Sequence, residues 1–183
     1  EILKHSLIAN KKFFLFLNKN ATKILNLKSP FIEKSIHQSC LIKKRIIETD
    51  EKEKNLRKIL NFGHTFAHAY EATLQYSKKL NHGEAVILGI MNASKFSLKN
   101  NLLSKDEFEL IKNHLIQFKL PIKLRKKISS SKLNNIVSFM KKDKKNNTKK
   151  INLVLLKKIG QPILNLNFEN KKIHSFLKGE LIN

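Results

Sequence analysis

Residues 57–84, RKILNFGHTFAHAYEATLQYSKKLNHGE, constrain this chain more than any other stretch. They hold His64, His68 and His82, three of the seven histidines. Glu53, Arg57, Asn61, His64 and His68 follow one another at steps of four, four, three and four. Such steps place side chains on one face of a helix. Leu56, Ile59, Leu60, Phe62 and Phe66 fall on the other side and call for a core. The sequence therefore predicts an amphipathic helix with a polar stripe. An ordinary solvated face is the simplest account of such a stripe, but in this lysine-rich chain that face would be mostly lysine. This one is acid, base, amide and imidazole. His82 follows in Asn81-His82-Gly83-Glu84, ahead of the apolar run AVILGIM. Asn81 and Glu84 have the spacing of a capping box, which puts His82 in the first turn of a second helix. Histidines on consecutive helices can converge on a metal ion, and a catalytic zinc takes three protein ligands and keeps one position open. By spacing alone the metal signal is weak, and structural or surface histidines are the simpler account.

The motif R-x-x-L-N-F-G-H-T-F-x-H-A-x-E, followed by H-G-E-A-V, resembles the signature of the 3-dehydroquinate synthase family. Ala67 stands where that family usually has glycine, a change that a helical backbone tolerates. Two further blocks extend the resemblance. E-I-L-K-H-S-L-I at residues 1–8 is similar to a family block that supplies a glutamate metal ligand and a substrate-facing lysine, here Glu1 and Lys4, with Ser6 for the usual glycine. Lys43, Ile46, Ile47, Asp50, Glu51, Glu53 and Arg57 match a second block in register, which singles out Lys43 over Lys44. Near the end, Asp143-Lys144-Lys145 precedes the strand-like INLVLL, and the resemblance assigns a substrate contact to Lys144 in preference to Lys145.

The resemblance implies a fold, a reaction and a set of roles. The fold is mainly α: the helical C-terminal domain of the dehydroquinate synthase and metal-dependent alcohol dehydrogenase type, with one short β-hairpin near 151–164. Residues 1–183 form a single helical domain, without the family's N-terminal NAD-binding α/β domain. The reaction converts 3-deoxy-D-arabino-heptulosonate 7-phosphate to 3-dehydroquinate and phosphate in the shikimate pathway, with a transient oxidation by NAD. Glu1, His64 and His82 would hold Zn2+ or Co2+. Lys4, Lys43, Arg57, Asn61 and Lys144 would bind the phosphorylated keto acid. His68 and Glu53 would carry protons. The complete enzyme is expected to be a homodimer. The five glycines are too scattered for a G-x-G-x-x-G dinucleotide loop, so the isolated chain is expected to be inactive. An inactive remnant, or a detached half that needs an N-terminal partner, is the main alternative.

A formal net charge of +23 raises a second alternative, a basic nucleic-acid-binding helical module. Against it, the lysines are spread along the whole chain and aromatics are not interleaved as stacking platforms. A general drift toward Lys, Asn and Ile accounts for the charge, so no specific nucleic acid is expected. Cys40 is the single cysteine, which excludes a disulfide framework and a cysteine metal site. No apolar run approaches 18 residues, and the first residues lack a signal-peptide cleavage site. No membrane partner and a cytoplasmic location are expected.

Further along, the pattern at 1–18 is helical with a break near Asn10. Ser29-Pro30 opens a helix whose buried side reads Ile32, Ile36, Cys40, Ile42, Ile46 and Ile47. Residues 84–99 form a strongly apolar helix in which Gly89 signals close packing. Ser104 and Glu107 read as a second capping box, and Leu120-Pro121 ends that helix. Residues 122–128 read as a basic linker. Ser130 or Ser131 caps a helix reaching Met140, and 141–150 reads as a flexible loop. A terminal helix is expected over 166–181.

Overall fold

The computed structural model of the chain describes residues 1–142 and 150–182. Helix α1 spans Ile2–Ala9 and α2 spans Lys11–Leu25. The expected break falls at Asn10, whose extended backbone separates them and whose side chain accepts a hydrogen bond from Phe13 N. Ser6, in the usual glycine position, sits inside α1 and donates its hydroxyl to Leu3 O.

Helix α3, Phe31–Thr49, starts directly after Pro30. Its inner face differs from the expected one. Ile42 and Ile46 are buried, but Ile36 is 49% exposed and Cys40 is also exposed. The buried positions are Ser35, Ser39, Ile42 and Ile46, at steps of four, three and four. That is a true helical face; Ile32, Ile36 and Cys40 lie off it. The two serines can be inside because their hydroxyls are bonded, Ser35 to Phe31 O and Ser39 to the His5 ring.

The polar stripe does not ride on one helix. Asp50 ends α3 and its carboxylate accepts from the N–H groups of Lys54, Asn55 and Arg57, which winds the chain into a turn. Glu53 has φ +53, and Leu56–Asn61 form a 3-10 segment. Gly63 at φ +79 then redirects the chain into α4, His64–Thr73. Of the expected apolar partners, Ile59, Phe62 and Phe66 are buried, while Leu56 is 38% exposed.

Helix α5, His82–Lys99, is apolar nearly all round and runs through the core, as such a helix must. Its capping box is complete: Asn81 accepts from Glu84 N and Glu84 accepts from Asn81 N. Gly89 meets Gly63 so closely that a Cβ there would lie 2.1 Å from Gly63 O. Ala67 is fully buried against this contact in a regular helical turn, which is why alanine is accommodated.

Helix α6 spans Lys105–Gln117. Ser104 caps Glu107 N, but the second half of the expected box is missing. The buried Glu107 carboxylate instead accepts from Ile159 N at 2.7 Å and from Lys11 Nζ. It ties α6 and α2 to the hairpin. Ser129 caps the short 3-10 turn that leads into α7, Leu133–Lys142.

Strand β1, Ile151–Lys158, pairs antiparallel with β2, Gln161–Phe168. The hairpin thus runs four residues beyond the expected 164, and the last helix, α8, begins later than expected and spans Asn170–Ile182. The reason is visible in ILNLNF, whose apolar residues alternate with asparagine at the period of a strand. Gly160, at φ +86, turns the hairpin and donates to Leu7 O, so the hairpin tip holds α1 in place. Phe66, Phe96, Phe168 and Phe176 stack edge to face beneath it, with ring centroids 4.9–6.2 Å apart. No described helix is long and apolar enough to cross a membrane.

Candidate active site

The start of α1, Lys43 of α3, the 50–63 turn, the first turns of α4 and the hairpin line two adjoining cavities. His82, at the start of α5, stands beside them through its ring contacts with His64 and His68. The larger, of about 440 Å³, is lined by Glu53, Asn61, His64, Thr65 and His68, with Asn152, Val154 and Asn165 from the hairpin. The smaller, of about 200 Å³, is lined by Glu1, Lys4, His5, Lys43, Arg57 and, again, Glu53, Asn61 and His64. The stripe is therefore assembled by a turn and a helix start instead of by helical periodicity.

The three histidine rings cluster. Centroid distances are 5.4 Å for His64–His68, 5.8 Å for His64–His82 and 6.4 Å for His68–His82. His82 Nδ1 donates to Glu71 Oε1 at 2.9 Å, which leaves Nε2 as its free donor atom. His64 Nδ1 lies 3.3 Å from Phe62 O, which turns its Nε2 toward Glu1 Oε1 at 3.6 Å. Burial, helped by the nearby Lys4 charge, holds the His64 pKa down to about 4, so the imidazole is neutral and its lone pair available at pH 7.

Lys4 is 3% exposed, with its ammonium 3.0 Å from the Glu1 carboxylate. Burial lowers its pKa, against the stabilising charge of Glu1. Burial by itself would raise the Glu1 pKa, but the charge and hydrogen bond of Lys4 outweigh it and pull the group to about 2. Lys43 reaches the same cavity, whereas Lys44 points away and pairs with Glu48 at 3.7 Å. Arg57 is held by its Nη1 bond to Glu51 O at 2.7 Å, and Asn61 Nδ2 donates to Glu53 Oε1 at 2.9 Å. Lys144 lies outside the described residues.

One carboxylate and two imidazoles are ligands that suit Zn2+ or Co2+. Among the described residues, however, no three His, Cys, Asp or Glu side chains are gathered closely enough to hold an ion as they stand. The Glu1 carboxylate is paired with Lys4 at 3.0 Å. The donor set fits the metal in kind.

Several contributors escaped sequence reasoning. Glu71 closes the H-A-x-E motif and was open to notice there, but its role depends on the fold bringing it to His82. His5 and Ser39 meet across 34 positions of sequence, and Asn152 and Asn165 arrive on the hairpin. No local spacing announces either arrangement.

The fold is shared with two solved synthases. The 2-epi-5-epi-valiolone synthase ValA from Streptomyces hygroscopicus, solved with NAD+ and Zn2+ bound, superposes with a TM-score of 0.81 over 98% of this chain and 49% of its own, at 18% identity. A 2-deoxy-scyllo-inosose synthase, complexed with carbaglucose-6-phosphate, NAD+ and Co2+, gives 0.67 over 97% of this chain and 49% of its own, at 19% identity. Sequence narrows the class. The chain belongs to the 3-dehydroquinate synthase C-terminal family, which matches residues 1–146. It is 66% identical to the 3-dehydroquinate synthase of Pelagibacter ubique over 99% of the chain and 49% of that relative. With the enzyme of the same name from Thermodesulfovibrio yellowstonii it shares 39% identity over 92% of the chain and 45% of that relative. The chain thus spans about half the length of the curated relatives it matches.

Proposed function

We propose that this chain is the metal- and substrate-binding part of a cytoplasmic 3-dehydroquinate synthase, which converts 3-deoxy-D-arabino-heptulosonate 7-phosphate to 3-dehydroquinate and phosphate. The observation that carries the reading is the gathering of Glu1, Lys4, Lys43, Glu53, Arg57, Asn61 and His64 around one cavity. Titratable, cationic and amide groups converge there on a space of about 200 Å³, continuous in its lining with a larger one.

Glu1, His64 and His82 are the residues that would hold Zn2+ or Co2+. When bound, the metal supplies Lewis-acid polarisation of a substrate hydroxyl, and NAD, held by an N-terminal α/β domain, supplies a reversible hydride acceptor. The chain's own residues bind and orient. Lys4 is a desolvated ammonium, and once Glu1 turns away it can meet a carboxylate or phosphate oxygen. Arg57 offers a planar fork for bidentate pairing, and Lys43 adds a point charge. The Asn61 amide orients hydroxyls, itself held by Glu53. His68 is exposed at the edge of the larger cavity, within reach of water and substrate, and is the first proton carrier. Glu53 is the second proton carrier. In this reading the complete enzyme is a homodimer.

Phosphate release from the keto acid phosphate, with NAD and Zn2+ present, tests the reading. The 183 residues alone should release none above background, because their glycines form no dinucleotide loop. Adding the separately produced N-terminal half of a close relative should restore release. His68→Ala and Arg57→Ala should each then remove most of it, about 100-fold or more for the proton carrier, and Lys44→Ala should not. Turnover by the 183 residues alone, or equal loss in Lys44→Ala, would contradict the assignment.

A further inference from the structure

Two of the three candidate ligands have an outer partner that fixes which atom faces the metal. His82 is set by the Glu71 carboxylate and His64 by the Phe62 carbonyl. Such partners set ligand orientation and basicity. Glu1 has Lys4, but a cation competes with a metal for the carboxylate instead of presenting it.

The geometry points to His5, backed by Ser39, as a positioning residue that orients the Glu1 carboxylate for metal binding. This rests on the reading of Glu1, His64 and His82 as metal ligands. His5 is 3% exposed, one residue past Lys4 on α1. Its Nδ1 lies 2.7 Å from Ser39 Oγ, also buried, on α3. Its Nε2 is buried without a hydrogen-bond partner and faces Glu1 Oε2 at 3.6 Å. An orphaned buried ring nitrogen is costly and calls for a partner.

The network settles the tautomer. If Nδ1 carried the proton, the Ser39 hydroxyl would accept it, and a bare Nε2 lone pair would face a carboxylate. If Ser39 donates to Nδ1, the proton sits on Nε2 and points at Glu1 Oε2. The second arrangement is attractive at both ends. At 3.6 Å the contact is not yet a hydrogen bond, and a small swing of the carboxylate closes it. With Oε2 held by His5, Oε1 is the atom left toward His64. Ser39–His5–Glu1 then does for the carboxylate what Glu71 does for His82.

Co2+ titration of the 183-residue chain, read by visible d–d absorption, tests this. His5→Gln keeps a donor near the Nε2 position, whereas His5→Asn keeps only the side toward Ser39. His5→Asn should weaken Co2+ binding about tenfold, the lower end for such outer partners. His5→Gln should stay within about threefold of the parent, and Ser39→Ala, which frees the tautomer, should fall between them. Each variant is titrated well below its own metal-free unfolding midpoint, which separates positioning from structure. If His64→Ala and His82→Ala lose Co2+ binding but His5→Asn and Ser39→Ala do not, the metal site stands and the role of His5 is refuted. Equal losses in His5→Gln and His5→Asn also refute it. If His64→Ala and His82→Ala bind Co2+ like the parent, the metal reading fails and the proposal falls with it.

Discussion

His114 lies 6% exposed between Phe14 and Phe118, with ring centroids at 5.4 and 4.7 Å, and its Nδ1 meets Asn18 Oδ1 at 3.0 Å. Burial lowers its pKa from 6.5 to about 4. The unfolded chain therefore takes up a proton near pH 6.5, whereas the folded chain resists until about pH 4. The stability this group contributes is complete above pH 6.5 and is lost as pH falls toward 4, by roughly 3 kcal/mol. His114→Gln keeps an amide for Asn18 but cannot titrate. Urea unfolding at pH 7.5, 5.5 and 4.5 should show a shallower loss of stability in the variant than in the parent. An unchanged slope would mean that His114 is not buried neutral. Where a motif singled out a residue, the structure puts that residue at the cavity, as for Lys43 against Lys44. They failed where a residue's surroundings are tertiary. His5 and His114 are unremarkable in sequence, and only packing makes them neutral.

At the level of elements, close approach of α4 and α5 sets the histidine cluster. The contact is Gly63 against Gly89, where a Cβ on Gly89 would lie 2.1 Å from Gly63 O and 3.2 Å from Ala67 N. Those are backbone atoms and cannot step aside, so Gly89→Ala must push α5 away from α4. We expect a loss of about 3 kcal/mol, at the upper end for overpacking. Gly179→Ala on α8 is the control, since a Cβ there meets nothing within 4 Å. It should be neutral or stabilising by up to about 1 kcal/mol. Thermal unfolding of both variants decides it, and equal behaviour would show that the close approach is not what holds the helices. Helix existence was legible because apolar spacing, Asn10, Asn81 and Ser104 mark the helices locally. The polar stripe was misread as one helix because Asp50 and Gly63 bend the chain while leaving its spacing intact. The inner face of α3 was misread in its first half because hydrogen-bonded Ser35 and Ser39, not Ile36 and Cys40, share the buried side with Ile42 and Ile46.

For the whole molecule, the family and fold were legible because long motifs carry both at once. The full reach of the site was not, since Asn152 and Asn165 of the hairpin come in beside His64 from far downstream in the sequence. The central claim is that Glu1, His64 and His82 form the metal centre of a synthase half. Anomalous diffraction at the zinc edge, on crystals of the chain grown with Zn2+, tests it most directly. The account predicts one strong peak bonded to Glu1, His64 Nε2 and His82 Nε2, at ligand distances of about 2.0–2.2 Å, with the Lys4 ammonium withdrawn from Glu1. A peak held by other residues, or His64 and His82 left unbound at saturating zinc, would contradict it.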